Sequence, residues 1–421
     1  MIGRARRGAL IGPALIGAAM FGAACTPQAQ TNAPAAGEAP PWRLAQAGTI
    51  ASADHLILTV PLDDPAALAR VAAEIEASFG VRLAAEWPLQ SIAVHCLVID
   101  ARGVADLDDL IARMRADPRI RTVQRMQAFE TLSTLPAVAS AADTAEAAGA
   151  DPLLPAQTAL VRLNAARAQR LSDGRGVTVG VVDSGIDAAH PDLSARGIDR
   201  RDFVEAGPPA APAGEAHGTA VAALIGAEAG NGLGMVGVAP GADLVGLRAC
   251  WQDPAGGGRC SSFSLARALN FAALNRIPVL NLSLGGPPDP LLDELVQALL
   301  AQGAVVVAAW GEAEAPSFPA SVPGVIAAGG GPRGGLPAPE VDVISAEPGG
   351  GYGYVSGSSV ATAHVAGVAA LVLSARPGLS PDSVAALLGR AVRGGKAGAR
   401  PMLDACEAVR AAEGLEIACD G

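Results

Sequence analysis

The 421-residue sequence has little positive charge and few aromatic side chains. The first shortage limits the partners that the protein can bind, and the second limits how its core can be packed. Lys and Arg number 30 against 41 Asp and Glu, so the net charge of −11 argues against a nucleic-acid partner held by a broad basic surface. Aromatic residues make up only 3% of the chain, so the core must be packed from Ala, Val, Leu and Ile. No CxxC motif or His pair at ligand spacing accompanies the six cysteines, which argues against a zinc site.

The N-terminal segment has the pattern of an export signal. Three arginines in the first seven residues precede an uncharged stretch from Gly8 to Cys25. This pattern predicts a signal peptide over 1–25 and a protein exported to the periplasm or the extracellular space. A membrane-spanning anchor is the alternative, for which a Gly- and Ala-rich stretch of this length is short. The ending FGAAC also resembles a lipoprotein signal, so anchoring to a membrane through a lipid on Cys25 stays open.

The rest of the chain divides into four parts by composition and hydrophobic period. Residues 26–48 are rich in Pro, Ala and Gly and are interpreted as a disordered tether. Residues 49–130 alternate strand and helix patterns in the order β-α-β-β-α-β, which predicts a small split-βαβ, ferredoxin-like α+β domain. Residues 131–158 are low in large apolar side chains and are interpreted as a linker with a processing region. Residues 159–421 alternate apolar runs with helical stretches, which predicts an α/β domain whose parallel sheet carries helices on both faces.

Three polar residues at the edges of apolar elements form a candidate catalytic set. Asp183 follows a predicted strand, and His217 and Ser359 stand at predicted helix starts. Each residue alone is more often a turn former or an ordinary helix-start residue. Together they meet the needs of acyl transfer, because an imidazole must take the proton of the serine hydroxyl and a carboxylate must orient that imidazole and stabilise its charge. At a helix start, Ser359 would also offer backbone N–H groups to a developing oxyanion.

The segments around these residues resemble the subtilisin-like serine proteases, the subtilases. The matching motifs are VVDSGIDAAHPDL, HGTAVAALIG and SGSSVATAHVAG, and the resemblance covers roughly 160–392. It implies a subtilisin-like fold and an exported serine endopeptidase that cleaves polypeptides through an acyl-enzyme. It also implies that residues 49–130 are a propeptide, which inhibits its own enzyme until a self-processing zymogen is cut. Subtilases often bind calcium, but no acidic loop is specific enough to assign a site, and no other cofactor is expected.

Two further segments imply where the substrate binds. NLSLGGP over 281–287 is similar to the family strand that pairs with an extended substrate, and VVVAAWGEA over 305–313 resembles the strand beside it. The substrate-binding residues implied by this resemblance are Ser283, Leu284, Gly285, Gly286, Ala309 and Gly311.

The sequence departs from the family at the oxyanion site. Glu312 stands where the family has an Asn whose amide donates to the oxyanion, and a carboxylate cannot donate unless it is protonated. The hole would then rely on backbone N–H groups, that of Ser359 first. Of the two adjacent serines Ser358 and Ser359, alignment with the family's Gly-Thr-Ser makes Ser359 the nucleophile. Because of Glu312, a catalytically impaired subtilase fold that acts as a binding module is the alternative function.

The remaining cysteines stand in two short-range pairs and one single residue. Cys250 with Cys260 and Cys406 with Cys419 are expected to form two disulfides, because export leads to an oxidising compartment. Cys96 lies alone in the predicted propeptide.

Overall fold

The computed structural model describes residues 54–61, 65–134, 151–204, 214–253, 257–330, 334–394, 400–416 and 418–419. The expectations for the signal peptide, the tether and Cys25 fall outside these residues, and so does most of the expected processing region.

The described chain begins with a four-stranded antiparallel sheet and two helices. These elements are β1 (His55–Pro61), α1 (Pro65–Phe79), β2 (Arg82–Leu89), β3 (Val94–Asp100), α2 (Leu107–Arg115) and β4 (Thr122–Arg125). The strand order β2-β3-β1-β4 is the split-βαβ arrangement that the alternating patterns predict. Side chains alternate between the two faces, so Leu56 and Leu58 pack with the helices while Ile57 and Val98 join the core of the following body.

The following body holds the remaining strands and helices. They are β5 (Ala128–Thr131), α3 (Thr158–Arg162), α4 (Ala165–Leu171), β6 (Thr178–Asp183), α5 (Pro191–Ser194), β7 (Asp199–Asp202), α6 (Ala216–Gly226), β8 (Asp243–Arg248), β9 (Cys250–Gln252), β10 (Gly258–Ser261), α7 (Ser262–Leu274), β11 (Val279–Leu282), β12 (Leu284–Gly285), α8 (Pro290–Ala301), β13 (Val305–Ala309), β14 (Ile326–Ala328), β15 (Val343–Glu347), β16 (Gly351–Val355), α9 (Ser358–Ala375), α10 (Pro381–Arg390), β17 (Val392–Arg393), β18 (Met402–Leu403) and α11 (Ala405–Glu413).

A six-stranded parallel sheet forms the centre of this body, in the order β14-β13-β11-β6-β8-β7. Both faces are buried, because Val179 and Val181 of β6 pack with α6 and α9 while Val182 packs with α7 and α8. Five of these strands, β6, β8, β11, β13 and β14, coincide with apolar runs of the sequence, which confirms the predicted α/β class.

Helix α9 runs through the core on one side of the sheet. Of the helices described, it alone has a length and composition that would also suit a membrane span, and 78% of it is buried inside the protein. This burial is typical of the central helix of a folded core. Ser359, the second residue of α9, therefore lies on a mostly buried core helix.

Both expected disulfides are present. Cys250 and Cys260 stand directly opposite each other on β9 and β10, and their bond joins these two strands. Cys406 of α11 is bonded to Cys419, which fixes the C-terminal segment. Cys96 is free and buried, and burial raises the pKa of its thiol to about 12, with a smaller contribution from Asp289.

The N-terminal sheet packs against helices α7 and α8. The Arg267 guanidinium of α7 lies 4.5 Å from the ring centre of Trp87, a cation–π contact. The backbone N–H and the hydroxyl of Ser91 both donate to the Asn270 side-chain oxygen, at 3.0 and 2.8 Å. These contacts hold the N-terminal sheet on α7, and the chain that leaves its edge strand β4 continues as β5 into the site described next.

Candidate active site

Asp183 and His217 form a buried hydrogen-bonded pair. Asp183 ends β6 and His217 is the second residue of α6, so the two elements bring them together. The His217 Nδ1 lies 2.7 Å from Asp183 Oδ1, and the two side chains are 6% and 0% exposed. The same carboxylate oxygen accepts the Ser184 N–H at 2.7 Å. An imidazole held in this way has one tautomer and presents its Nε2 as the free base.

Ser359 is the second residue of α9 and is fully buried. Its hydroxyl donates to the Ser283 carbonyl oxygen at 3.0 Å. The His217 Nε2 is buried and has no hydrogen-bond partner among the residues that the structure describes. The structure thus joins Asp183 to His217 but directs the serine hydroxyl to a backbone carbonyl rather than to the imidazole.

An uncut segment of the chain lies across this serine. The Leu132 carbonyl oxygen accepts the Ser359 N–H at 3.1 Å, and the Leu132 N–H donates to Ser359 Oγ at 3.0 Å. Two residues on, the Thr134 N–H donates to the Ser356 carbonyl at 2.8 Å. The peptide bond between Leu132 and Ser133 therefore sits at the serine hydroxyl.

The residues before this bond enter as a strand. Strand β5 lies between β12 and β10 in a four-stranded sheet, with Leu284 opposite Thr131 and Arg259 opposite Glu130. Backbone hydrogen bonds of this kind hold any extended polypeptide, whatever its side chains. The surface between β12 and β10 is therefore a site for a polypeptide strand.

Glycines make room for two side chains of the segment. A Cβ atom at Gly286 would lie 2.3 Å from the Phe129 ring, and one at Gly285 would lie 2.8 Å from Leu132 Cδ1. Phe129 is fully buried, and its ring centre is 5.9 Å from that of Phe318. The site thus holds large apolar side chains at the residue before the Leu132–Ser133 bond and three residues earlier.

Most of the substrate-binding residues expected from the sequence touch this segment or line its pockets. The Ser283 carbonyl accepts the Leu132 N–H at 3.3 Å, while Leu284 and Gly285 pair with the two residues before Leu132 and Gly286 lies against Phe129. A Cβ atom at Gly311 would lie 3.7 Å from Leu132 Cδ1, and the φ of +88° at this position favours glycine. Ala309 is buried at the end of β13.

The structure also places Ser358, the serine not chosen as nucleophile, and Glu312, the residue at the expected oxyanion position. The hydroxyl of Ser358 accepts the Gly311 N–H at 3.3 Å, so it faces a pocket wall. The Glu312 side chain is exposed, directly after Gly311. At the Leu132 carbonyl, the hydrogen bond that the structure describes comes from the Ser359 N–H.

The other histidines of this body are structural in their contacts. His190 is fully buried, its Nδ1 accepts the Asp192 N–H and its Nε2 donates to the Gly351 carbonyl at 3.1 Å. His364 donates from Nδ1 to the Pro339 carbonyl at 2.9 Å. Burial lowers the pKa of His364 to about 4, which keeps it neutral near neutral pH.

Among the described residues, one group of His, Cys, Asp and Glu side chains is close enough to hold a metal ion: Asp404, Cys406 and Cys419. Two of its three members form a disulfide, so their sulfurs are not available as thiolate ligands. This group therefore provides no calcium site.

Sequence reasoning missed two parts of the site. The residue types over 128–134 do not indicate that this segment occupies the site between β12 and β10, because the backbone hydrogen bonds of strand pairing are the same for every residue type. The carboxylate of Glu215, which directly precedes α6, and the guanidinium of Arg248 form a largely buried ion pair next to Asp183 and His217. Only the tertiary structure brings these two residues together.

The fold and this site define a subtilase, and the model of the Subtilase family matches residues 174–340 and 333–405. The chain belongs to this family. It is 38% identical to Subtilisin E of Bacillus subtilis (strain 168) over 224 residues, which cover 48% of this chain and 57% of that protein. It is 39% identical to Subtilisin BL of Lederbergia lenta over 223 residues, covering 49% of this chain and 80% of that protein.

A solved structure extends the likeness to the N-terminal sheet. The crystal structure of fervidolysin from Fervidobacterium pennivorans, a keratinolytic enzyme related to subtilisin, matches with a TM-score of 0.67. The match covers 89% of this chain and 62% of that one, and at 22% identity it concerns the fold. The family requires no organic cofactor.

Proposed function

We propose that this chain is an exported serine endopeptidase, made as a precursor that cuts itself between Leu132 and Ser133. The observation that carries the proposal is the hydrogen bonding of Leu132 to both the N–H and the hydroxyl of Ser359. A backbone N–H on the carbonyl oxygen of the bond to be cut is the contact that stabilises an oxyanion there. The cut lies at the N-terminal edge of the processing region expected from the sequence.

In the proposed reaction each of the three residues has one role. Ser359 Oγ attacks the Leu132 carbonyl carbon while His217 Nε2 takes the hydroxyl proton, and Asp183 stabilises the resulting imidazolium. The tetrahedral intermediate collapses when His217 returns the proton to the Ser133 nitrogen, which breaks the peptide bond. Water then attacks the ester between Leu132 and Ser359, again with His217 as base. His217 returns the proton to Ser359 Oγ, which releases the Leu132 carboxylate and restores the serine hydroxyl.

The oxyanion is held mainly by backbone in this proposal. The Ser359 N–H already lies 3.1 Å from the Leu132 carbonyl oxygen, and the start of α9 adds the positive end of the helix dipole. Glu312 supplies no amide donor, so we infer a turnover below that of an otherwise equal site with two donors. The missing donor lowers the rate of acyl transfer, but every step of the reaction can still take place.

We infer that residues 54–132 serve as the enzyme's own inhibitor after the cut. Their strand β5 occupies the polypeptide site and Phe129 fills its apolar pocket, so another substrate cannot enter while they stay bound. The signal-like N-terminus and the two disulfides support export to an oxidising compartment. Lipid attachment at Cys25 stays a prediction from sequence.

The test compares three forms of the full chain in an export host. The original sequence should yield a fragment that begins at Ser133, identified by mass spectrometry and N-terminal sequencing. Ser359→Ala should accumulate uncut, whereas the matched control Ser358→Ala should still be cut, because its hydroxyl contacts Gly311 and not Leu132.

Two outcomes would contradict the proposal. Cleavage of Ser359→Ala at the same bond would show that another protease does the work. Failure of a fluorophosphonate probe to label Ser359 in the processed protein would favour the binding-module alternative.

A further inference from the structure

Glu215 receives four hydrogen bonds at the start of the His217 helix. Its carboxylate accepts the Gly185 N–H at 2.5 Å, the Gln252 N–H at 3.1 Å and two N–H groups of Arg248 at 3.0 and 3.1 Å. Its side chain is 14% exposed, and that of Arg248 is 11% exposed. Arg248 also donates to Asp202 at 2.9 Å, which completes a largely buried row of three charges.

The N–H groups that donate to Glu215 belong to three parts of the fold: the turn after β6, strand β8 and strand β9. Gly185 lies two residues after Asp183, and Glu215 itself lies two residues before His217. Arg248 stands directly opposite Asp183 in the pairing of β6 with β8. One carboxylate therefore links the strand end that carries Asp183 to the helix that carries His217.

The fourth donor extends this link to the polypeptide site. Gln252 ends β9, β9 pairs with β10, and β10 pairs with β5, the strand that fills the cleft. Movement of β10 is restricted further by the Cys250–Cys260 bond to β9. Glu215 is thus positioned to hold the catalytic pair and the substrate strand in one fixed arrangement.

We propose that Glu215, paired with Arg248, is a positioning residue for the Asp183–His217 pair. The proposal rests on the function proposed above. Hydrogen bonds to a charged acceptor are stronger than neutral ones, and four of them define the acceptor's place closely. Burial opposes the charge of Glu215, but the bonds from Arg248, Gly185 and Gln252 outweigh it and lower the pKa of the carboxyl below its usual range.

The test removes the charges of Asp202, Glu215 and Arg248 together, so that no single charge is left without its partner. A triple variant, Asp202→Asn with Glu215→Met and Arg248→Met, replaces the row by side chains of similar size, an exchange that often preserves stability. The single variant Glu215→Gln is made beside it, and Glu413→Gln, on an exposed residue at the end of α11, is the matched control.

Four quantities are measured for each processed variant. They are the fraction of sites labelled by a fluorophosphonate, kcat and KM for a peptide containing Phe-Glu-Thr-Leu-Ser-Thr, and the downfield proton resonance of the His217–Asp183 hydrogen bond. We expect kcat per labelled site to fall by about 10- to 100-fold in both Glu215 variants, because a small misplacement of catalytic groups has effects of that size. The proton resonance should shift in both, and Glu413→Gln should match the original chain.

A triple variant that folds with unchanged kcat and an unchanged resonance would overturn the proposal and leave Glu215 a purely structural residue. The resonance also separates this inference from the proposed function. It reports the Asp183–His217 geometry even in a chain that cleaves no peptide, so a shift in the variants would support positioning although the endopeptidase proposal had failed.

Discussion

Replacing Glu312 with asparagine tests how the oxyanion is held. The structure describes one hydrogen bond at the Leu132 carbonyl oxygen, from the Ser359 N–H, and places the exposed Glu312 side chain directly after a wall of the Leu132 pocket. A side-chain amide at this point adds a donor that a carboxylate lacks. One such donor is worth about 10²- to 10³-fold in kcat, or about 3 to 4 kcal/mol of transition-state stabilisation. We therefore expect Glu312→Asn to raise kcat by about 10²-fold with little change in KM.

The assay is cleavage of a quenched peptide by processed enzyme, with active sites counted by fluorophosphonate labelling. Glu314→Asn is the matched control, since Glu314 is also exposed and stands two residues further on. Its kcat should stay at the original value. An unchanged or lower kcat for Glu312→Asn across the pH range would refute the reasoning, because the side chain at this position would then not reach the oxyanion.

Three other predictions follow from contacts and burial. Replacing Phe129 by Ala in a peptide substrate should lower kcat/KM at least about tenfold, since a fully buried ring is lost from its place beside Phe318; equal kcat/KM values would show that this pocket is not used. Removing the Cys406–Cys419 bond by a double Ser substitution should lower the free energy of unfolding by about 3 kcal/mol in urea titrations, and an unchanged midpoint would contradict this. His364, whose pKa is lowered to about 4 by burial, favours folding above pH 6.5, and that contribution should be lost as pH falls from about 6.5 to about 4, by up to about 3 kcal/mol. His364→Asn should flatten the dependence of unfolding free energy on pH, and a curve as steep as the original would exclude this role.

Local patterns in the sequence were sufficient for the class of fold. Each near-continuous apolar run, such as that of β13, forms a buried strand of the parallel sheet. A strand covered by helices on both faces buries every side chain, so apolar residues are needed at successive positions. The change of period over 49–130 likewise predicted the split-βαβ order, which the sheet β2-β3-β1-β4 confirms. The disulfide pairs could be predicted from sequence proximity together with the export signal, since cysteines ten and thirteen residues apart close short loops.

What the sequence by itself determined about the site is the identity of the reactive groups. Asp183, His217 and Ser359 are recognisable because each stands at a fixed place within a local motif, and the structure brings Asp183 and His217 to 2.7 Å. Which peptide bond meets the serine was decided only by tertiary structure. The register of β5 between β10 and β12 depends on how the N-terminal sheet packs on α7 and α8, and backbone hydrogen bonds are the same for every residue type. The link from Glu215 to Arg248 depends in the same way on the pairing of β6 with β8, because residues 33 positions apart become partners only when the sheet places them side by side.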